Sequence, residues 1–373
     1  MNLKHDKFNK TNIIFVINDF SAKGGAERVL RDLTNNFINE HNIIVVSYNK
    51  IFDTPSYDLH NEIFWIKLGG KFNNRFLDYL NSTFKLFKLL LFIKNKSKVI
   101  GWMYLAYFPI AVFKFLGFDK SISYYGSEHI FYDHYNVLQK VIINFSMFFL
   151  DKTIFVSDFA MNSFNRIKKS KKMVIPNILH QEKGVLNKLD KKNDNFLKNK
   201  KIKICSVGRL TNQKNFFEAI DTIRLLITSS NLEVTYHIYG YGKYFKKLGD
   251  YIQKFNLSDY IELKGVVSPV PYSKYDLTFV PSNYETQCLV IIESWNNGVP
   301  VFMYSRLKKM LDFIKIDQSA FLIEDKFDIK TIINYLKTNN KQNSSIKCQE
   351  NLDQILIQQK VIKENWAEIL KNQ

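Results

Sequence analysis

The sequence predicts an α/β chain made of two doubly wound, Rossmann-like domains facing each other across a cleft. Three observations predict it. Short apolar runs rich in Ile, Val and Phe alternate along the whole chain with segments of helical periodicity, the pattern of mainly parallel sheets covered by helices. A single polar segment, His180 to Lys201, rich in Lys, Asn and Asp, separates two such series. Finally, 373 residues are more than one domain of about 100–200 residues usually holds. The expected division is 1–180 for an N-terminal domain, 181–200 for a linker and 201–345 for a C-terminal domain, with a C-terminal helix over 346–373 that packs back on the first domain.

Asn12 to Asn18 (NIIFVIN) reads as a buried strand, because both faces are apolar. Gly24-Gly25 then opens a helix whose Val29, Leu30, Leu33 and Phe37 share one face, and Ile43 to Ser47 is the next strand. Further strands are expected at Val99–Tyr104, Ser121–Tyr125, Thr153–Val156 and Met173–Ile175. The second series begins at Ile202–Val207 and continues at Glu233–Tyr239, Tyr260–Leu263, Leu277–Val280 and Val299–Met303. Lys347 to Asn372 is one long helical pattern with Trp366 on its apolar side.

Composition narrows the class. With 46% hydrophobic and 24% charged residues the chain is globular rather than disordered. Three scattered cysteines (Cys205, Cys288, Cys348) form neither a zinc cluster nor a disulfide framework and suit a reducing cytoplasm. No signal-peptide apolar region follows the polar start Met1 to Thr11, and Pro109 and Lys114 break the apolar stretch Val99–Phe118, which reads as a buried strand and helix, not a membrane span. The formal charge is +18, and both halves share it: 24 Lys and Arg against 14 acids over 1–180, 29 against 21 over the remainder. Zinc-finger spacing, RNP-type strands and Arg-rich arms are missing, so nucleic acid is not the expected partner. Lys71 to Lys98 instead mixes Phe, Leu and Ile with Lys at helical spacing and almost no acids, the pattern of a helix lying on an anionic bilayer. A domain helix whose apolar face meets a sheet gives the same pattern.

Three constellations fall at strand ends, where ligands bind in doubly wound sheets. The first runs from Asn18 through Lys23-Gly24-Gly25-Ala26-Glu27-Arg28: paired glycines before a helix let a ligand approach the backbone, and the helix start attracts anions. It is not the dinucleotide fingerprint, since G-x-G-x-x-G is missing, and a plain tight turn explains it equally well. The second is Val207-Gly208-Arg209-Leu210-Thr211-Asn212-Gln213-Lys214, where a guanidinium, an ammonium and backbone amides together suit a diphosphate; two solvated cations on a loop are the plainer alternative. The third is Pro281-Ser282-Asn283-Tyr284-Glu285-Thr286-Gln287-Cys288-Leu289, followed by Glu293 in the apolar run LVIIESW. A carboxylate on such a face needs a partner, and either sugar hydroxyls or protein donors would serve.

Taken in order, these segments resemble the retaining GT-B glycosyltransferases of family 4: G-G-A-E-R, then V-G-R-L-x-x-x-K, then P-S-x-x-E with an E-x7-E pair. Ser127-Glu128-His129, Val156-Ser157, Pro176-Asn177, Gly240-Tyr241-Gly242 and Gly298-Val299-Pro300 add to a likeness that spans about residues 12–305. It is most similar to bacterial enzymes that extend lipid-linked or surface oligosaccharides.

The resemblance implies a GT-B architecture and metal-independent, retaining transfer of a hexose or N-acetylhexosamine from a nucleotide-diphosphate sugar, with UDP expected. The acceptor it implies is a hydroxyl of a lipid-linked saccharide, such as an undecaprenyl-diphosphate-linked one in O-antigen or capsule assembly, reached from the cytoplasmic face of the inner membrane. No cofactor or metal is expected. Arg209 and Lys214 would hold the diphosphate, Glu293 the ribose and Glu285 the transferred sugar; His129 would lie near that sugar and Gly24, Gly25 and Gly208 near the donor phosphates. Thr286, Gln287, Cys288 and Leu289 would line the donor; where family members read E-G-F-G with glycine amides near it, this chain has Glu285-Thr286-Gln287-Cys288, and positive φ is disfavoured at Thr286 and Cys288. The stretch after Pro300 lacks the glycine-rich turn and glutamate common in the family. Two rivals stay open at this point: a non-catalytic subunit of a glycan-assembly complex, and a UDP-sugar epimerase on a related fold.

Overall fold

The computed structural model describes residues 11–21, 24–49, 53–93, 97–118, 121–179, 195–197, 201–311 and 313–371. The polar N-terminal stretch before Thr11, Ala22 and Lys23 of the first constellation, residues 94–96 of the basic stretch and most of the expected linker lie outside these. The chain forms two compact units, residues 1–180 with 359–373, and residues 181–358.

In unit 1 the elements run β1 (Asn12–Ile17), α1 (Gly25–Phe37), β2 (Asn42–Ser47), β3 (Phe64–Lys67), α2 (Arg75–Phe92), β4 (Ser97–Trp102), α3 (Tyr104–Phe115), β5 (Ser123–Glu128), α4 (Val137–Phe149), β6 (Lys152–Phe155), α5 (Asp158–Ser163) and β7 (Lys172–Val174). The strands form a parallel seven-stranded sheet in the order β3-β2-β1-β4-β5-β6-β7. The sheet is apolar on both sides because helices cover both, so β1 and β4 are buried almost throughout. The expected face of α1 is the buried one: Val29, Leu30, Leu33 and Phe37. The stretch from Val99 folds as a buried strand followed by a helix, as its composition suggested. Pro109 sits inside α3 and cannot donate to the carbonyl four residues back, which belongs to Leu105. Tyr79 Oη of α2 donates to that carbonyl at 2.8 Å, so the proline leaves no acceptor unsatisfied.

Unit 2 runs β8 (Lys201–Val207), α6 (Phe216–Ser229), β9 (Glu233–Tyr239), α7 (Phe245–Lys254), β10 (Ile261–Gly265), β11 (Leu277–Val280), α8 (Leu289–Asn296), β12 (Val301–Tyr304), β13 (Ala320–Ile323), α9 (Ile329–Thr338) and α10 (Lys341–Leu370). Its six strands are parallel in the order β10-β9-β8-β11-β12-β13. The order reverses between β8 and β11, and in unit 1 between β1 and β4. At such a switch the two neighbouring strands send their following chain to opposite sides, which opens a crevice at their carboxyl ends.

Helix α10 begins at Lys341, six residues earlier than the sequence pattern suggests, and its apolar side recurs at Cys348, Leu352, Ile355, Ile362, Trp366 and Ile369. Its last turns count with unit 1, where the Trp366 ring stacks on Trp102 at 6.4 Å and the Ile369 carbonyl accepts from the buried Lys98 ammonium. Two strands are additional to those expected, β3 and β13. Others are displaced by a few residues: β5 extends to Glu128 rather than ending at Tyr125, and β10 extends to Gly265.

Candidate functional site

Unit 2 gathers nine of the expected site residues along the chain that leaves β8 and β11, the strands flanking the switch: seven on the two loops, and Leu289 and Glu293 on α8. The chain past β8 lies against the chain past β9: Gly208 N–H donates to Tyr239 O at 2.9 Å and Leu210 N–H to Tyr241 O at 3.0 Å. That closeness requires glycine opposite, since a Cβ at Gly240 (φ 138°) would lie 2.0 Å from the Gly208 carbonyl oxygen. A Cβ at Gly208 would itself stand 3.2 Å from the stem of Lys214, which is draped across it.

Lys214 closes a 3-10 turn, Asn212–Lys214, before Asn215 (φ 50°) turns the chain into α6. The β11 loop is stitched to that turn by Asn283 N–H to Gln213 O (2.8 Å), Asn283 Nδ2 to Asn212 O (2.8 Å) and Gln213 Nε2 to Tyr284 O (3.2 Å). The result is an ion pair between Lys214 Nζ and Glu285 Oε1, with side chains 17% and 7% exposed. Ser282 Oγ donates to the same carboxylate oxygen at 2.6 Å. Burial opposes the Lys214 charge, but the neighbouring Glu285 carboxylate outweighs it and holds the lysine above its ordinary pKa. Arg209 is exposed, and its positive charge acts on Lys214 in the opposite sense.

Thr286, Gln287 and Leu289 are partly buried, while Cys288 is buried and stands at the residue before α8. Cys288 corrects one expectation. Positive φ, disfavoured there for a residue with a side chain, is what the thiol-bearing residue adopts (φ 40°, ψ 72°). Glu293 is partly buried in α8, and a protein donor supplies its partner: Tyr272 Oη donates to Oε2 at 2.7 Å.

Gly24, Gly25 and His129 belong to unit 1. Gly24 precedes α1 in extended conformation (φ −160°), which any residue adopts, so no backbone need dictates glycine there. The Glu27 carboxylate folds back over it: a Cβ on Gly24 would lie 2.4 Å from Glu27 Oε2. His129 follows β5 directly, its ring 4.6 Å from that of Trp102 and its Nε2 3.0 Å from Ser127 Oγ. Burial lowers its pKa to about 3, so the imidazole is neutral at physiological pH. The preceding Glu128 is fully buried and accepts from Tyr107 Oη (2.7 Å), Tyr135 Oη (2.8 Å) and the N–H groups of His129 (2.9 Å) and Ile130 (3.1 Å), which fixes the backbone that carries the histidine.

Known proteins share this fold. Over 96% of this chain and 98% of the other, it superposes on HepE from Anabaena, solved in complex with UDP and glucose, with a TM-score of 0.73 at 16% identity. A structure of WaaG, a glycosyltransferase involved in lipopolysaccharide biosynthesis, matches 97% of this chain and 100% of its own with a TM-score of 0.70 at 13% identity. The fold is GT-B. Residues 187–353 match the family model for glycosyl transferases group 1. The amylovoran biosynthesis glycosyltransferase AmsD of Erwinia amylovora is 24% identical over 318 residues, 82% of this chain and 84% of that protein. Together these matches support a glycosyltransferase of the GT-B type.

Within this GT-B frame, the sequence motifs include Ser282 and Glu128 without giving either a role, and they do not reach Tyr272. Ser282 carries a visible signal, being three residues before Glu285 in the same loop. Tyr272 carries none, because it meets Glu293 across 21 positions and an intervening strand. Among the described residues no group of three or more His, Cys, Asp or Glu is placed to hold a metal ion.

Proposed function

We propose that this protein transfers a hexose or N-acetylhexosamine, with retention at the anomeric carbon, from a UDP-sugar to a hydroxyl of a lipid-linked oligosaccharide in surface-glycan assembly. The observation that carries it is the buried Lys214–Glu285 pair beside the exposed Arg209, on two loops stitched together at the crevice between β8 and β11. Two cations at such a crevice fit a diphosphate. UDP in the HepE complex and lipopolysaccharide synthesis for WaaG support the donor and pathway class.

As the bond from the anomeric carbon to the phosphate oxygen breaks, negative charge develops on the diphosphate. Arg209 and Lys214 stabilise that charge more in the transition state than in the ground state. The acceptor oxygen bonds to the same carbon on the same face, and its proton passes to the departing phosphate. Glu285, held by Lys214 and Ser282, orients the transferred sugar, and Glu293 takes the ribose hydroxyls. His129, held neutral by burial, is suited to act as a hydrogen-bonding group rather than as a cation. The two cations take the place of a divalent ion, so activity is expected to survive EDTA.

The acceptor is met at the membrane. Helix α2 exposes Phe76, Leu77, Leu80, Phe84, Leu91 and Phe92. Its cations Arg75, Lys85 and Lys88 are exposed with them, and Lys88 lies over the Phe84 ring at 4.6 Å. The helix's single acid, Asp78, is turned inward to accept from the N–H groups of Gly70, Lys71 and Phe72. An apolar face flanked by cations and free of exposed acids suits an anionic bilayer.

Thermal shift with UDP, GDP and ADP tests the donor site. A nucleotide at about 100 times its dissociation constant stabilises by about 2.7 kcal/mol, a gain expected for UDP and lost in an Arg209→Ala/Glu293→Ala variant. In turnover, Arg209→Ala is expected to cost about a hundredfold or more in kcat/KM; wild-type turnover by that variant would remove the assignment.

A further inference from the structure

The carboxylate proposed for the ribose is held from behind. Tyr272 lies in the 3-10 turn Tyr272–Lys274, between β10 and β11, and its ring is 3% exposed. It packs in a cluster with Cys205, Tyr239, Tyr275 and Val299, with Val290 of α8 against the same cluster. The ring is therefore enclosed, and its hydroxyl lies 2.7 Å from Glu293 Oε2. The phenol donates and the carboxylate oxygen accepts.

We propose that Tyr272 is a positioning residue for the nucleoside: through Oε2 it locks Glu293 in the rotamer that receives the cis-diol of a nucleoside diphosphate. The inference rests on Glu293 serving the ribose. A glutamate has three rotatable side-chain bonds, and fixing them during binding weakens the complex. When the phenol fixes them during folding, the binding site is formed in advance.

Isothermal titration of the full chain with UDP and with 2′,3′-dideoxy-UDP separates this role from simple packing. The proteins are wild type, Tyr272→Phe, Glu293→Gln and the double variant. Tyr272→Phe keeps the ring and removes only the hydroxyl. It is expected to weaken UDP about five- to tenfold while moving the dideoxy analogue by less than about twofold. In the Glu293→Gln background the same change is expected to add almost nothing. Equal losses for the two ligands, or losses that add in the double variant, would reduce Tyr272 to a packing residue and overturn the proposal. Wild-type discrimination between the ligands with no change in Tyr272→Phe would overturn the positioning role alone. A wild-type protein that binds both equally would remove Glu293 from the ribose, and the proposal with it.

Discussion

Helices α2 and α7 are both basic, both amphipathic and both laid against a parallel sheet, yet they treat their apolar residues differently. Helix α7 buries Leu248 and Ile252 and turns Lys246, Lys247 and Asp250 to solvent. Helix α2 buries Leu86 and Leu90 but also turns Phe76, Phe84 and Phe92 outward among its cations. The same holds for α3, which packs against α2, and for α4, which packs against α3: the end of α3 exposes Phe115, and α4 exposes Val137, Leu138, Val141 and Phe148. Since both halves carry a surplus of lysine and arginine, charge does not distinguish the units. Exposed apolar area does, and contiguous patches of that kind on a soluble surface mark an interaction site. Unit 2 concentrates its unusual features inward, at the strand-end loops, and unit 1 outward, on one helical layer.

That contrast breaks first at Lys214. Replacing it by Met leaves Glu285 buried with Ser282 as donor but without its counter-charge, an expected loss of about 3–5 kcal/mol in folding stability by denaturant titration. A Lys214→Met/Glu285→Leu protein is expected to recover most of that stability but no turnover, which would show that the pair is kept for chemistry. On unit 1 the corresponding change is Phe76→Glu with Phe84→Glu. It is expected to weaken sedimentation with anionic liposomes about tenfold or more while leaving UDP binding unaltered; undiminished sedimentation would remove α2 from the membrane.

Both smaller tests concern single residues. With His129 held at about 3, the folded chain keeps it neutral, whereas an unfolded histidine takes up a proton below about pH 6.5. This contribution to stability is complete above about pH 6.5 and is lost as pH falls towards 3. His129→Gln is therefore expected to melt with a shallower dependence on pH between about 7 and 5 than wild type. The smallest effect is at Cys288. Glycine there relieves the left-handed backbone but gives up a buried thiol, so Cys288→Gly is expected to melt within about 3 °C of wild type, while Cys288→Val costs about 1–2 kcal/mol.

What was legible in the sequence follows from the range of the interactions involved. Strands β1 and β11 could be read because burial on both faces writes a near-continuous apolar run, and β8 and β9 because buried residues alternate with more exposed ones along much of their length. β3 could not: it is an edge strand of four residues with no buried position, so nothing in FWIK separates it from loop. Arg209, Lys214 and Glu285 were legible because each follows a readable strand within a few residues. The Lys214–Glu285 contact and the Tyr272–Glu293 bond were not, because packing alone brings together positions 71 and 21 residues apart. Cys288 shows the opposite failure, a local preference overridden by the loop that α8 and β11 impose.

The shared helix α10 has a consequence for the order in which the molecule comes into being. Residues 181–358 leave the ribosome as one uninterrupted stretch, and unit 2 has all its parts as soon as they emerge. Unit 1, although its strands are translated first, waits for residues 359–371: until then Trp102 lacks the Trp366 ring and the Lys98 ammonium lacks the Ile369 carbonyl. At about 5–20 residues per second, the first unit translated spends on the order of ten seconds or more as a nascent chain with an open face, and it is the second that is complete first.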